Sequence, residues 1–238
     1  MLFTVFGIVF IALGLAIGWY GMRPLVVVPN LLRVTVEDPS EISEEGFVVC
    51  RGIASQSTET IRAPFTGTEC FGFEVEVTER QPFGLGIPWF QTRLDDGVGT
   101  RPFTLDSPTG SLTVDPSTKR FALDTESTVI TVGPNEPQPE RIQRYVDRRE
   151  RLEPVSEWLG LIPGLGTRRY IERRIDPGEE YLVAGRTDRQ QGDIILAGDL
   201  VITDRSPRRF AITRLWTAAF PTLIALIFVG AGVGGIML

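Results

Sequence analysis

The stretch that most clearly predicts the fold is Cys70–Val77, CFGFEVEV, in which apolar and polar residues alternate. Phe71, Phe73, Val75 and Val77 fall on one face, and two glutamates fall on the other. A period of two is typical of a β-strand that buries one face and exposes the other. We therefore expect the region around this stretch to be rich in β-structure.

Strand–turn–strand patterns continue the same signal further along the chain. Phe103–Leu105 and Ser111–Asp115 flank turn residues at Asp106–Gly110, where proline and glycine favour a tight turn. The same order recurs at Tyr170–Ile175, Asp176–Gly178 and Tyr181–Gly185. Several short strands separated by Gly and Pro turns predict a small closed or nearly closed barrel.

One segment breaks the period of two. Between Pro139 and Leu152, apolar residues recur at steps of three and four, which predicts an amphipathic helix inserted among the strands and stopped by Pro154. Its arginines alternate with acidic residues, so we expect a solvated helix face rather than a phosphate-binding patch.

Both ends of the chain are predicted transmembrane helices. Leu2–Tyr20 and Leu215–Leu238 carry no charged residue. Nineteen helical residues reach about 29 Å, close to the hydrocarbon thickness of a bilayer. Trp19, Tyr20 and Trp216 lie at the ends of these runs, as aromatic residues do at membrane interfaces.

The predicted fold class is mainly β: a small barrel-like domain with an inserted helix, flanked by N- and C-terminal transmembrane helices. The expected divisions are a first membrane helix at 1–22, a linker with a first strand at 23–44, the β-rich domain at 45–205 with its helix at about 139–152, a basic juxtamembrane segment at 206–214 and a second membrane helix at 215–238.

Arginines predict the orientation in the membrane. They follow the first helix and precede the second, at Arg23, Arg33, Arg205, Arg208, Arg209 and Arg214, whereas the outer ends carry no Lys or Arg. The positive-inside rule then places the central domain in the cytoplasm of a two-helix cell-membrane protein. The last four arginines are expected to contact anionic lipid headgroups, at about 1 kcal/mol each near the surface.

Each predicted membrane helix contains glycines four residues apart, Gly14 with Gly18 and Gly230 with Gly234. This spacing lets two helix backbones approach closely, either within one chain or between chains of a homo-oligomer. The alternative is that these glycines reflect the general abundance of glycine in membrane helices.

Composition excludes several kinds of chemistry. The 238 residues contain 24 basic and 30 acidic side chains, giving a net charge of −6, and no histidine. Without histidine there is no Ser-His-Asp or Cys-His catalysis and no histidine metal site. The acidic balance argues against nucleic acid as a partner. Because Lys119 is the only lysine, the composition favours a GC-rich, salt-adapted prokaryotic source.

Few residues remain as candidates for chemistry. Asp95-Asp96-Gly97 and Asp106 could bind a divalent cation, but Asp-Gly is also common turn chemistry, which we favour. Cys50 and Cys70 are expected to be buried thiols because no histidine is present to activate them.

Gly84-Leu85-Gly86 and Gly164-Leu165-Gly166 lack the context of a nucleotide-binding loop. The apolar segment from Val155 to Gly166 is expected to pack in the core, with the bilayer surface as the alternative.

The order of these motifs resembles the GIDE (BAM) domain of membrane-anchored, mitochondrial-type E3 ubiquitin ligases. The resemblance covers residues 45 to 205 and both flanking helices. It rests on four blocks in order: Gly52-Ile53-Ala54; Pro64 to Phe73 with Gly67 and Cys70; Phe103 to Pro116 with Asp106, Gly110, Val114 and Asp115; and Arg169-Tyr170-Ile171-Glu172 followed by Asp176-Pro177-Gly178-Glu179 and Gly185.

The resemblance implies a ubiquitin-protein transferase family, but the sequence departs from it in one respect. The ligases carry a RING after the second helix, whereas these residues stop at Leu238 and hold two cysteines and no histidine. A RING needs more metal ligands than that. We therefore expect a RING-less member without catalytic residues or cofactors, acting as a scaffold that binds a protein partner or substrate in a membrane complex.

Two alternative functions are open at this point. One is a transferase-like component of a ubiquitin-like modifier system, with Cys50 or Cys70 as the carrier. The other is an oligomeric protein that organises the membrane or assists a membrane protease.

Overall fold

The structure is a computed structural model of the protein. It describes residues 2–22, 25, 34–42, 45–55, 59–83, 87–116, 122–155, 161, 164–190 and 193–237. The chain divides into two compact units, one formed by Met1–Thr35 with Arg205–Leu238 and the other by Val36–Asp204.

The described residues form three α-helices and thirteen strands. The helices are α1 (Leu2–Met22), α2 (Glu140–Asp147) and α3 (Pro207–Met237). The strands are β1 Val36–Glu37, β2 Phe47–Ser55, β3 Ile61–Arg62, β4 Glu69–Cys70, β5 Gly72–Phe83, β6 Ile87–Thr100, β7 Phe103–Asp106, β8 Ser111–Asp115, β9 Ala122–Asp124, β10 Ser127–Val132, β11 Arg168–Ile175, β12 Glu180–Gln190 and β13 Asp193–Thr203.

Helices α1 and α3 are long and apolar enough to cross a membrane, over Thr4–Met22 and Pro207–Ile236. The predicted basic segment and second membrane helix form one continuous helix. Pro207 is its first residue, and the hydroxyl of Ser206 accepts a hydrogen bond from the Arg209 amide at 3.4 Å. A proline after a serine is a favourable start because the missing N–H has no partner within the helix anyway.

Small residues spaced seven apart bring α1 and α3 together in antiparallel order. They are Gly7, Gly14 and Gly21 on α1, and Ala218, Ala225 and Gly232 on α3. A Cβ atom at Gly7 would lie 2.6 Å from the carbonyl oxygen of Gly232, and one at Gly14 would lie 2.8 Å from that of Ala225. Larger side chains at these positions would therefore force the two backbones apart.

The barrel consists of five strands in the order β2-β12-β13-β8-β7, and β7 pairs with β2 to close it. β8 and β13 are parallel, and the other barrel pairs are antiparallel. Counted along the chain, the order is 1-2-3-5-4, the connectivity of a Greek-key barrel of the OB type. The prediction of a mainly β fold with a small barrel is confirmed.

A second sheet is built from two insertions into the barrel sequence. Its order is β10-β11-β5-β6, and all its pairs are antiparallel. β5 and β6 come between barrel strands β2 and β7, whereas β10, α2 and β11 come between β8 and β12. Ile142 and Tyr145 of α2 pack with Val75, Val77 and Tyr170 of this sheet.

The stretch Cys70–Val77 supplies both cores. Phe71 lies in the barrel core, stacked on Phe103 with ring centroids 5.6 Å apart. Val75 and Val77 lie in the core under α2. The alternating residues therefore do not all belong to one strand. β5 begins only at Gly72, so Phe71 precedes it and packs in the barrel core, whereas Val75 and Val77 lie within it and pack in the other core.

Two sequence expectations differ from the structure in detail. The strands on either side of Asp176–Gly178 are both present as β11 and β12, but they belong to different sheets and do not pair with each other. The inserted helix ends at Asp147 rather than near Leu152, because the amides of Arg148 and Arg149 bond to carbonyls three residues back. Such bonds tighten the backbone into turns, yet Leu152 still reaches the core.

We expect Gly14→Leu to weaken the pairing of α1 with α3. Its Cβ alone would come within 2.8 Å of both the Ala225 carbonyl oxygen and the Val229 side chain. Overpacking costs about 1–3 kcal/mol, which lowers the population of paired helices by about 5- to 160-fold. We therefore expect disulfide formation between cysteines introduced at Phe10 and Phe228 to slow by about fivefold or more. The rings of those two residues stack 5.4 Å apart.

Gly230→Leu is the matched control for this substitution, because a Cβ at Gly230 meets nothing within 4 Å. Disulfide formation in that background should match the parent protein. An equal loss in both glycine variants would contradict the packing described above.

Candidate functional site

The carboxylate of Glu172 is buried and joins two blocks that are distant in sequence. It accepts hydrogen bonds from the Phe65 amide at 2.8 Å and from the Thr66 amide and hydroxyl at 3.3 and 2.5 Å. Arg174 forms an ion pair with it at 3.2 Å. Glu172 therefore holds the turn that begins at Pro64 against β11.

The same turn explains why a glycine stands at position 67. Gly67 has a φ of +74°, which L side chains rarely adopt. The atoms nearest to a Cβ there belong to the guanidinium of Arg141, the far end of an exposed and flexible side chain that can move aside. The positive φ of the turn is therefore the reason that glycine is favoured at this position.

A second buried ion pair lies on the same face of the sheet. Nε of Arg168 is 2.7 Å from a carboxylate oxygen of Glu79, and both side chains are at most 5% exposed. The guanidinium also donates to the backbone carbonyl of Glu153. The alternation of β11 puts Arg168, Tyr170 and Glu172 on one buried face, so charged groups are here part of the core.

The aspartates singled out as a cation site do not come together. Asp95 is nearly buried and accepts a hydrogen bond from the Tyr145 hydroxyl at 2.8 Å, with Arg149 3.5 Å away. Burial, followed by this hydrogen bond, raises the pKa of Tyr145 to about 12. Asp96 is exposed. Among the described residues, no three His, Cys, Asp or Glu side chains are grouped as metal ligands would be.

Both thiols lie in protected positions. Cys50 is in the barrel core and Cys70 is equally buried. Burial is the main reason that the pKa of each thiol is raised to about 12. At neutral pH both are therefore almost entirely protonated, which is unfavourable for a nucleophilic carrier.

A groove of about 670 Å³ runs along the barrel wall beside β2. On this side β1 pairs with β2 as far as Cys50, and β7 pairs with it from Ile53 onward. Neither strand pairs with the two residues between. The groove is lined by Val36, Asp38, Arg51, Ile53, Asp106 and Glu180, among others.

Apolar and acidic groups share the lining of this barrel groove. The side chains of Val36 and Ile53 are about half exposed, at 47% and 49%. Arg51 is 3.4 Å from Glu180, so the basic charge is already paired with one of the carboxylates. The net character of the groove is apolar and acidic.

Asp38 organises one end of the barrel groove. It accepts hydrogen bonds from the hydroxyls of Thr109, Ser107 and Ser40, at 2.5, 2.7 and 2.8 Å. These bonds, that of Thr109 foremost, hold the pKa of Asp38 well below its usual range. They tie the segment before β2 to the turn between β7 and β8.

Sequence reasoning did not identify Asp38. The available signal was Asp38-Pro39-Ser40-Glu41, in which an aspartate precedes Pro at the first position of a helical turn. The structure has a short 3₁₀ turn there, capped by the Asp38 side chain.

The predicted helix-packing glycines fall into two groups. Gly14 and Gly18 lie at the contact of α1 with α3, where a Cβ at Gly18 would be 3.4 Å from that of Ala225. Gly230 and Gly234 are exposed, and a Cβ at either meets nothing within 4 Å. α3 instead meets α1 through residues such as Gly232, which points about 200° away from Gly230 at 100° per residue.

The predicted headgroup arginines are spread around the start of α3. Arg208 and Arg209 are exposed in its first turn. The guanidinium of Arg214 lies 5.0 Å from the ring centre of Phe210, and Nη1 of Arg205 donates to the Thr213 hydroxyl at 3.3 Å. The predictions that involve Arg23, Arg33, Gly84-Leu85-Gly86 and Trp158 lie outside the described residues.

The chain was compared with protein-family models, curated proteins and solved structures, and none of them matches it.

We expect Glu172→Gln to destabilise the protein strongly. The substitution removes the negative charge that accepts the hydrogen bonds of the Phe65 amide and of the Thr66 amide and hydroxyl, and a hydrogen bond to a charged group contributes about 1.5–3 kcal/mol. Arg174 keeps its second ion pair, with Asp176 at 3.0 Å. The free energy of unfolding of the full chain in detergent, from denaturant titration followed by circular dichroism, measures this.

Glu69→Gln is the control, because the Arg62–Glu69 pair has the same chemistry but is 74% and 60% exposed. An exposed pair contributes at most about 1 kcal/mol. Similar losses for the two variants would show that Glu172 does not hold the turn as described.

Proposed function

We propose that this protein is a membrane-anchored, non-catalytic scaffold whose β-domain binds a protein partner. The observation that supports the proposal best is the barrel groove beside β2, where half-exposed apolar side chains lie among carboxylates. Exposed apolar groups with a polar rim are characteristic of protein-binding surfaces.

The lining of the barrel groove indicates the chemistry of the partner. Glu37, Asp38, Asp106 and Glu180 line it, whereas Arg51 is the basic residue among its lining residues. An extended segment with an apolar side chain next to Lys or Arg would complement both features. We propose such a segment as the occupant of the barrel groove.

The ionisable groups of the second sheet support a role in binding rather than catalysis. Glu172, Glu79, Arg168 and Asp95 each have a protein partner within 3.5 Å. Perturbed titratable groups can mark active sites, but structural ion-pair networks perturb them as well. These four hold the turn at Pro64, β11 and α2 in place, so their chemistry is accounted for by the fold.

We further propose that α1 and α3 cross the cell membrane and that the β-domain faces the cytoplasm. The lengths and compositions of the two helices and the distribution of arginines support this arrangement. The likeness to the GIDE domain agrees with a recruiting role, since in those ligases the domain serves recognition and the RING serves transfer.

The partner is tested by affinity purification of tagged full-length protein from native membranes, followed by mass spectrometry. We expect Ile53→Arg to lower recovery of the partner about tenfold, because it removes an apolar contact from the barrel groove and places a positive charge against the Lys or Arg of the proposed segment.

Val98→Arg is the matched control: Val98, like Ile53, is a half-exposed β-branched residue of a strand, at 46%, but it lies on β6. Equal recovery from all three proteins would contradict the barrel groove as the binding surface. Enrichment of ubiquitin-like modifier or activating enzymes would instead favour the transferase alternative.

The orientation is tested with Asp199→Cys and a membrane-impermeant thiol reagent. We expect no labelling in intact cells and labelling after permeabilisation, while buried Cys50 and Cys70 contribute little background. Labelling in intact cells would place the β-domain on the outer side.

A further inference from the structure

An apolar groove of about 700 Å³ runs along the helical unit, separate from the barrel groove. We call it the helix groove. Its lining includes Leu25, Ile212, Trp216, Ala219, Leu223 and Leu226, with Thr222 as a polar member. The hydroxyl of Thr222 donates a hydrogen bond to the Ala218 carbonyl at 2.7 Å. Its donor is therefore satisfied within the helix, and the rest of the lining is apolar.

The helix groove follows one face of α3, and two arginines continue that face. At 100° per residue, Ile212, Ala219, Leu223 and Leu226 fall within about 60° of one another. Arg208 is one turn before Ile212 on this face, and Arg209 flanks it. The positive side chains therefore lie at the N-terminal end of the helix groove.

The positive charge at that end is not neutralised within the described residues. Arg208 and Arg209 are exposed, and neither forms an ion pair with a described carboxylate. Both lie in the first turn of α3, where the helix dipole adds a partial positive charge. An anion at this position would satisfy both arginines.

The helix groove also has the length that a lipid tail requires. From Ile212 to Leu226 the helix rises about 21 Å, at 1.5 Å per residue. One leaflet of a bilayer is about 15 Å of hydrocarbon, half of the full core. An acyl chain that begins below the arginines can therefore lie along the lining over its whole depth in the leaflet.

We propose that the helix groove is a binding site for one anionic phospholipid. Its phosphate pairs with Arg208 and Arg209, and an acyl chain packs along Ile212, Ala219 and Leu223. The site rests on the proposed membrane anchoring by α1 and α3, but it is independent of the partner of the barrel groove. A membrane helix of another protein would need carboxylates at the level of the two arginines, whereas an anionic lipid supplies its charge at that depth by its position in the bilayer.

The test is native mass spectrometry of the delipidated full chain in detergent, with phosphatidylglycerol or phosphatidylcholine added at equal concentration. We expect at least a fivefold excess of bound phosphatidylglycerol. The double variant R208Q/R209Q should abolish this preference, and Ala219→Phe, which fills the helix groove, should lower the binding of both lipids.

The control R148Q/R151Q removes the same charge from two exposed arginines of the β-domain and should keep the fivefold preference. Circular dichroism and the barrel-groove partner assay establish that each variant is folded. If R208Q/R209Q loses the lipid preference but still recovers the partner, the lipid site is supported independently of the scaffold proposal. If no partner is recovered but the parent protein keeps its lipid preference, only the scaffold proposal is overturned.

Three results would overturn the lipid site. They are an absence of preference between the two lipids, an equal loss in R148Q/R151Q, and an Ala219→Phe variant that releases a co-purified membrane protein while its lipid binding is unchanged. The last result would assign the helix groove to a partner helix.

Discussion

Closure of the barrel depends on the missing side chain of Gly52. A Cβ at this position would lie 2.6 Å from the Asp106 carbonyl oxygen and 2.9 Å from the Leu105 side chain. Without one, β7 approaches β2 closely enough to pair with it from Ile53 to Ser55. The barrel groove lies where the pairing of β2 changes, because β1 pairs with β2 only up to Cys50 and β7 pairs with it only from Ile53.

The second sheet is stabilised in a different way. The barrel core is almost wholly apolar, whereas the face under α2 contains Glu79, Arg168 and Glu172 as buried charges. Buried ion pairs contribute little net stability compared with apolar residues, but losing one partner is costly. Their effect here is to specify which segments meet: Glu172 selects the turn at Pro64, and Asp95 selects α2 through Tyr145 and Arg149. The insertions that carry this sheet are thereby held to a single arrangement.

The two grooves divide the proposed roles between the two units. The barrel groove, lined by apolar and acidic groups, is the proposed site for a protein segment. The helix groove ends near Arg208 and Arg209, which form no ion pair with a described carboxylate, and is the proposed site for an anionic lipid. The barrel groove lies where two residues of β2, Arg51 and Gly52, pair with β12 on one side but with neither β1 nor β7 on the other. A scaffold needs surfaces of this kind rather than a cluster of reactive groups.

Much of the local structure followed from residue patterns. The alternation at Cys70–Val77, the Pro and Gly turns and the uncharged terminal runs each depend on neighbours in sequence, so strands, turns and helices were predictable at the right places. Which strands pair with each other was harder to predict from the sequence. β11 and β12 look like a hairpin, but the turn at Asp176–Gly178 passes the chain between sheets, with the Asp176 amide donating to the Tyr181 hydroxyl at 2.8 Å. The resemblance to the GIDE domain likewise stays a prediction.

By itself, the sequence determined the class of fold, the two apolar helices and the exclusion of histidine chemistry, because these depend on composition and on periods of two and three to four residues. Only the tertiary structure decided which residues meet. Glu172 and Phe65 are 107 positions apart, and the residues around each of them do not predict the hydrogen bond between them. The same holds for the helix contact, where Gly232 rather than Gly230 faces α1. Glycines four residues apart lie on one face of a helix, but the position of the neighbouring helix decides which face forms the contact.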